Sequence, residues 1–427
     1  MTTGDQARVE VFIGAEPTRV GSLVYSRQGR REYSALAYAE EWLANPEGFA
    51  VSGDLPLRPG HHLQRAATPS DSVFHGALAD TEPDAWGRRV ITRDHAKRRA
   101  RDRSLMELTN LDYLLAVDDF SRVGALRLRI GAGGFARSTA DGRRRTPPLL
   151  ELPRILDASR LLEEGRETAE DLRFLLGKGT SLGGVRPKCT VLDEDGRLAI
   201  GKFPSVGDTR SVTRGEVLAL ELARLAGLGA ARGRVALVDG SPVALIRRFD
   251  RTAGDGRLPY QSAASLLGAR RGEDRAYSEI GDAIRSHGAS PTRDLREMWR
   301  RIVFRALITD VDDHLQNHAF LYAGAGLWRL APAFDLNPFP DKRYESKTWL
   351  TEADGPVTDL GAVVARCEAF ALDRDQAISE LGGLCAAIGR WREVALAPPV
   401  GLAAAELDSF APAFEHERLT EARRLLP

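Results

Sequence analysis

The sequence predicts an α+β fold in two lobes, with a β-rich N-terminal region and an all-helical C-terminal lobe. Three observations carry this. Short alternating runs open the chain at Arg8–Gly14 and Arg19–Tyr25. Two hairpin signals lie mid-chain, around Asp193–Gly196 and Asp239–Gly240. Beyond them Leu295, Met298, Trp299, Ile302, Val303, Ala306 and Leu307 recur at helical spacing, as one buried stripe.

Taken in order, Arg31–Leu36 adds a third strand to the first two, and residues 72–128 turn helical, with Ser104–Leu108 and Leu111–Val117 in mixed helical spacing. Arg88–Arg103 is a local basic cluster. It reads as a solvated helix face interleaved with Asp94 and Asp102, because a helix disperses cations that a phosphate partner needs convergent. Gly131–Pro148, rich in Gly, Ser, Pro and Arg, reads as an exposed linker. Leu149–Leu176 is helical. Lys188–Leu192 and Arg197–Phe203 then form a hairpin, and Thr213–Ala226 a helix with Thr213 as N-cap and Gly227 as stop. Val235–Val238 pairs with Pro242–Ile246. From Tyr260 the chain is helical, broken by a hairpin of Ala319–Tyr322 and Leu327–Ala331. The expected domains are 1–145, a β-rich and helical subdomain; 149–258, an N-lobe with a Gly-rich loop; and 259–427, a helical C-lobe.

Composition narrows the class. A chain of 427 residues suits two or three domains at about 150 residues each. Basic and acidic residues number 60 each, which argues against a strongly basic nucleic-acid binder. Three unpaired cysteines exclude a disulfide scaffold. The opening residues predict no signal peptide, and no apolar run suits a membrane span, so a cytoplasmic location is expected. Only six of the 60 basic residues are lysines, and Lys178, Lys188 and Lys202 fall within one short stretch. Arginine is the default cation here, so each lysine invites a reason.

That stretch begins with Gly177–Lys188, where glycines and small hydroxyls can bring backbone N–H groups up to an anion. It satisfies neither a Walker A nor a GxGxxG pattern. Lys202 closes the next strand, and Glu216 on the following helix is its expected partner, the arrangement protein kinases use to hold nucleotide phosphates. Next, the buried stripe runs into Thr309–His318. Three carboxylates, two histidines and two amides there are costly to bury without ligands or partners. An Asp that accepts a hydroxyl proton, with an Asn five residues on at a metal, fits kinase catalytic-loop logic. A polar helix end that caps backbone, or a transition-metal site, are the alternatives. Finally, Ala331–Pro338 places Asp335 after a short hairpin, where kinases hold metal. The order as a whole reads as a bilobal, protein-kinase-like phosphotransferase. Its connector would be Arg247–Arg251, with Arg248 and Phe249 at the nucleotide.

These residues resemble the HipA serine/threonine kinases of bacterial toxin–antitoxin systems. The likeness is carried by SLGGVRPK (Ser181–Lys188), RRFDR (Arg247–Arg251), DDHLQNHAFL (Asp312–Leu321), APAFDLNP (Ala331–Pro338) and PDAWGR (Pro83–Arg88). The resemblance implies Asp312 as catalytic base with His314 beside it, and Asn317 and Asp335 as ligands of Mg2+. It implies Lys202 on the ATP phosphates, with Gly183, Gly184 and Lys188 in the nucleotide loop. Ser181 matches the family's autophosphorylation position, although Thr180 precedes it. The implied substrate is a translation factor such as an aminoacyl-tRNA synthetase. The implied partner is a helix-turn-helix antitoxin, through which operator DNA would mainly be reached. Arg247 departs from members with an acidic residue there. A small-molecule phosphotransferase and a non-catalytic subunit of a DNA-bound repressor complex are the rival readings.

Overall fold

The computed structural model describes residues 6–68, 70–138, 146–177 and 186–427. Its opening strands form where side-chain alternation puts them. Gln6–Ile13 pairs antiparallel with Thr18–Gln28, Val9 opposite Leu23. Arg31–Tyr38 and His62–Arg65 extend one side and Leu126–Arg129 the other, giving a five-stranded antiparallel sheet. Val9, Val11, Val20, Leu23 and Leu36 are fully buried in it. Gly21 is dictated by close approach: a Cβ there would meet the Ala37 carbonyl oxygen at 2.2 Å.

This sheet belongs to the first of two compact units, Met1–Gly207 with Asp250–Gln261. The helix Ala85–Arg101 begins at Asp84, whose Oδ1 accepts from the Gly87 amide at 2.6 Å. The basic stretch on this helix is tied to acids of its own unit as well as to solvent. Arg93 and Lys97 converge on the buried Glu167, at 2.6 and 3.6 Å. Arg88 reaches Glu82 at 2.9 Å. The residues Ser104–Leu108, expected to be helical, form an irregular link instead. The next helix, Asn110–Ala116, starts from a capping box of Thr109 and Asp112, which fixes its start after that link. In the expected linker, Phe135 folds back onto Phe12 at 5.5 Å between ring centroids. Helices Leu152–Glu163 and Ala169–Gly177 follow, then the hairpin of Lys188–Leu192 with Leu198–Lys202.

The second unit comprises Asp208–Phe249 and Ser262–Pro427. Its helix Val212–Leu225 is preceded by Ser211, and Thr213 is not the N-cap; its hydroxyl donates to the Pro242 carbonyl at 2.8 Å. Gly227, with φ 77°, ends that helix as expected. The hairpin Gly233–Val238 with Ser241–Arg247 turns at Asp239 and Gly240, at φ 47° and 75°, the positive pair a tight two-residue turn requires. The C-terminal region is not all-helical. Besides the helices Tyr277–His287, Pro291–Leu307 and Arg374–Gly389, it holds a hairpin of Ala319–Gly324 with Leu327–Leu330 and a short pair of Trp349–Thr351 with Gly355–Pro356. The second pair was missed because a three-residue strand carries too little alternation to register. The predicted helical stripe from Leu295 to Leu307 is buried throughout. Among the described residues no helix is long and apolar enough to cross a membrane.

Candidate active site

The helix Pro291–Leu307 delivers the chain to the site. Its C-terminal residue is followed by Thr309 in the left-handed region, at φ 55°, a strained setting for a β-branched residue. The strain is held by two contacts: the Thr309 hydroxyl donates to the Ala413 carbonyl at 3.2 Å, and its carbonyl accepts from Phe339 N at 3.3 Å. The turn brings Asp310 back onto Arg305 of the helix, and both are fully buried. Burial pushes the Asp310 carboxyl up to about 7, against the pull of Arg305. Arg305 also donates to the Asn317 carbonyl at 3.4 Å, so one guanidinium ties both ends of the loop.

Within the loop, neighbours in sequence divide between inside and outside. Asp313 is fully buried. Its carboxylate accepts from the Tyr277 hydroxyl and from Lys347 N, both at 2.6 Å, and its carbonyl from the Thr348 hydroxyl at 2.6 Å. Burial raises the Asp313 carboxyl and the Tyr277 phenol alike. His318, also buried, packs edge-on against Tyr277 at 5.4 Å, and burial keeps it neutral, well below the usual imidazole range. Asp312 faces the other way, with its side chain 38% exposed. Its Oδ1 is paired with the Lys347 ammonium and lies 3.8 Å from His314 Nε2. Burial lowers the His314 imidazole, although Asp312 opposes this. Asn317 closes the loop by donating its side-chain amide to the Asp312 carbonyl at 2.6 Å. The dense polar run of the sequence therefore splits into a buried set of Asp310, Asp313, Asn317 and His318 and a part-exposed pair of Asp312 and His314.

Asp335 reaches the same loop from a second anchor. Ala333 donates to Gly229 and accepts from Ala231, at 2.7 and 2.8 Å. Phe334 then packs on Phe249 at 5.4 Å. Asp335 itself has φ 52° and lies close enough for its charge to raise both Asp310 and His314. Phe249, expected near a base, is in contact with the segment carrying Asp335. Arg248 is buried beside it in sequence. In the first unit, Asp250 and Arg251 of the same motif form a clamp, where Asp250 accepts from Gly124 N and from Arg251, both at 2.7 Å.

Also in the first unit, Lys188 and Lys202 stand directly opposite each other across their hairpin. The Lys188 ammonium lies 3.4 Å from Asp84 Oδ2, with both side chains almost wholly buried. This contact joins the PDAWGR segment to the lysine that ends the Gly-rich loop. Lys202 is half-buried at its strand end, and Glu216 is buried on the helix Val212–Leu225 of the second unit. Thr180, Ser181, Gly183 and Gly184 lie outside the described residues. The residue that the motif reading missed is Lys347. Its rarity as a lysine was the available signal, but its partner lies 35 positions away.

Residues 180–391 match the HipA-like C-terminal domain, and residues 10–117 match the HipA N-terminal domain. The chain thus pairs the two domain types that define one class of protein. It belongs to the HipA family. The candidate kinase Y4mE of Sinorhizobium fredii is 26% identical over 347 residues, covering 74% of each chain. A candidate kinase of Haemophilus influenzae is 28% identical over 109 residues, 23% of this chain and 32% of that one. A solved structure of HipA from Shewanella oneidensis, in complex with HipB and operator DNA, superimposes with a TM-score of 0.65 over 97% of each chain at 16% identity. That likeness is one of fold.

Asn317 and Asp335 are the side chains expected to meet a magnesium ion. Among the described residues, no three His, Cys, Asp or Glu side chains cluster to cage a metal. Magnesium asks for less from a protein: one or two side-chain oxygens, with phosphate and water completing its octahedron. Asp335 offers a carboxylate. Asn317 has its NH2 engaged by the Asp312 carbonyl, which leaves the amide oxygen for a cation.

Proposed function

We propose that this chain is an ATP-dependent serine/threonine protein kinase, the toxin of a toxin–antitoxin pair, acting on a translation factor such as an aminoacyl-tRNA synthetase. The observation that carries the reading is the outward Asp312 held by Asn317 five residues on, with Asp335 brought to the same loop. Asp312 would orient the acceptor hydroxyl and take its proton, while Asn317 and Asp335 would hold magnesium, which neutralises phosphate charge when bound. Lys202 would meet the ATP phosphates as a compact cation. The expected partner is a helix-turn-helix antitoxin, as the relative from Shewanella oneidensis is bound to HipB and operator DNA.

Asp312→Asn and Asp335→Asn should each abolish transfer of labelled γ-phosphate while the thermal unfolding of the chain is preserved. Full activity in either variant would remove that residue from the reaction. Autophosphorylation at Ser181 would place roughly −1.5 to −2 charges in a loop suited to phosphate. Ser181→Asp should therefore block ATP use, and normal ATP use by that variant would overturn this part of the reading.

A further inference from the structure

The segment that follows Asp335 returns to the loop bearing Asp312 and docks on it. Three contacts at its end are independent of side-chain choice at position 347 or come from its neighbours: Lys347 N donates to Asp313 Oδ1, Thr348 donates to the Asp313 carbonyl, and the Ser346 hydroxyl donates to the Thr348 carbonyl at 2.6 Å. Along this stretch Tyr344, Ser346 and Thr348 are buried, whereas Arg343, Glu345 and Lys347 are exposed. The alternation is that of an extended segment with one face fixed, and it directs the side chain of Lys347 outward to Asp312. The ammonium pairs with one carboxylate oxygen, Oδ1, while that carboxylate is 38% exposed and the lysine 54% exposed.

We infer that Lys347 is a positioning residue of the transfer site, holding the Asp312 carboxylate in the rotamer that offers its second oxygen to the acceptor hydroxyl. The inference rests on the kinase reading above. An Asp side chain on an open loop has no packing to fix its last torsion, and an ammonium on Oδ1 supplies that constraint. The lysine touches Asp312, so it acts through that residue. Its backbone anchors remain in any side-chain variant, so the loop keeps its fold when the ammonium is removed. The effect of removing it is therefore on kcat, because the carboxylate is misplaced only for the step it serves.

The test measures γ-phosphate transfer from labelled ATP by the full chain and by Lys347→Met, Lys347→Arg and Asp312→Asn, with thermal unfolding of each. Lys347→Met should lose about 10- to 100-fold in kcat with KM for ATP unchanged and unfolding unaltered. Lys347→Arg, which keeps a cation within reach, should recover most of the loss. Wild-type kcat in Lys347→Met overturns the inference. So does a loss that comes with a lowered unfolding temperature, or one that Lys347→Arg does not recover, since either marks a structural role. If the unmodified chain transfers no phosphate, or Asp312→Asn transfers it fully, the kinase reading fails and this inference with it. If those controls behave and only Lys347→Met is normal, the lysine assignment alone fails.

Discussion

Lys188 and Lys202 face one another across an antiparallel hairpin, each the other's direct partner in the register. Two like charges so placed repel. The first is accommodated because Asp84, from the start of a helix far away in sequence, buries its carboxylate beside that ammonium. The hairpin thereby carries one lysine engaged inside the unit and one at the strand end.

Removing one member of that buried pair should cost the other its closest opposite charge. Lys188→Met is expected to destabilise the chain measurably in denaturant unfolding, and Asp84→Ala by more, since it also removes the helix cap, worth about 1 kcal/mol. The double variant should cost less than the sum of the two singles. Strict additivity would show that the pair is not coupled.

Phe249 separates two roles by kinetics. If it supports the Asp335 segment through Phe334, Phe249→Ala should lower kcat about fivefold, the kinetic equivalent of ~1 kcal/mol of aromatic pairing, with KM for ATP little changed. A rise in KM for ATP at constant kcat would instead place the ring against the base.

The N-terminal unit should show a pH optimum set in part by His75 and Asp54. The His75 ring donates both nitrogens, to Asp54 at 3.2 Å and to the His62 carbonyl at 3.0 Å. Burial lowers its pKa, but these bonds outweigh it, and the net shift is upward from 6.5. Its contribution is full below 6.5 and is lost as pH rises through the raised value. Asp54 is shifted downward from 3.8: burial raises it, and His75 and Ser52 more than compensate. Its contribution is full above 3.8 and is lost as pH falls through the lowered value. Unfolding midpoints measured against pH should therefore fall on both sides of this window. His75→Gln should flatten the alkaline limb, and an unchanged limb would dissociate His75 from it.

Gly21→Ala should destabilise the first sheet by about 1–3 kcal/mol, since the added methyl meets backbone that can move only by opening the strand pair. Gly207→Ala, with nothing within 4 Å of the added carbon, is the control and should unfold like the parent.

Much of this architecture is legible in local pattern. The stripe of the helix Pro291–Leu307 and the turn at Asp239 and Gly240 follow from periods and φ preferences that neighbouring residues carry themselves. The Asp312–Asn317 spacing is local too, and it locates the loop. What the pattern does not carry is which of two adjacent aspartates points outward: the side-chain partners that bury Asp313 come from Tyr277 and Lys347, and its carbonyl is held by Thr348, all at least 34 positions away. The same holds for Lys188, whose partner is set by the packing of a distant helix start. Thr213 reads as a cap from its type and place, but the helix already starts at Val212, and its hydroxyl donates to the Pro242 carbonyl of a nearby strand instead of accepting from a helical N–H.

The division of the loop around Arg305 has a consequence for how such a protein can change. Its rigidity is vested in Asp310, Asp313 and His318, none of which faces solvent. The residues interleaved with them, Asp312, His314 and Gln316, are free of that duty. The exposed Gln316 can therefore be exchanged in a lineage while the frame that aims Asp312 passes unaltered from ancestor to descendant.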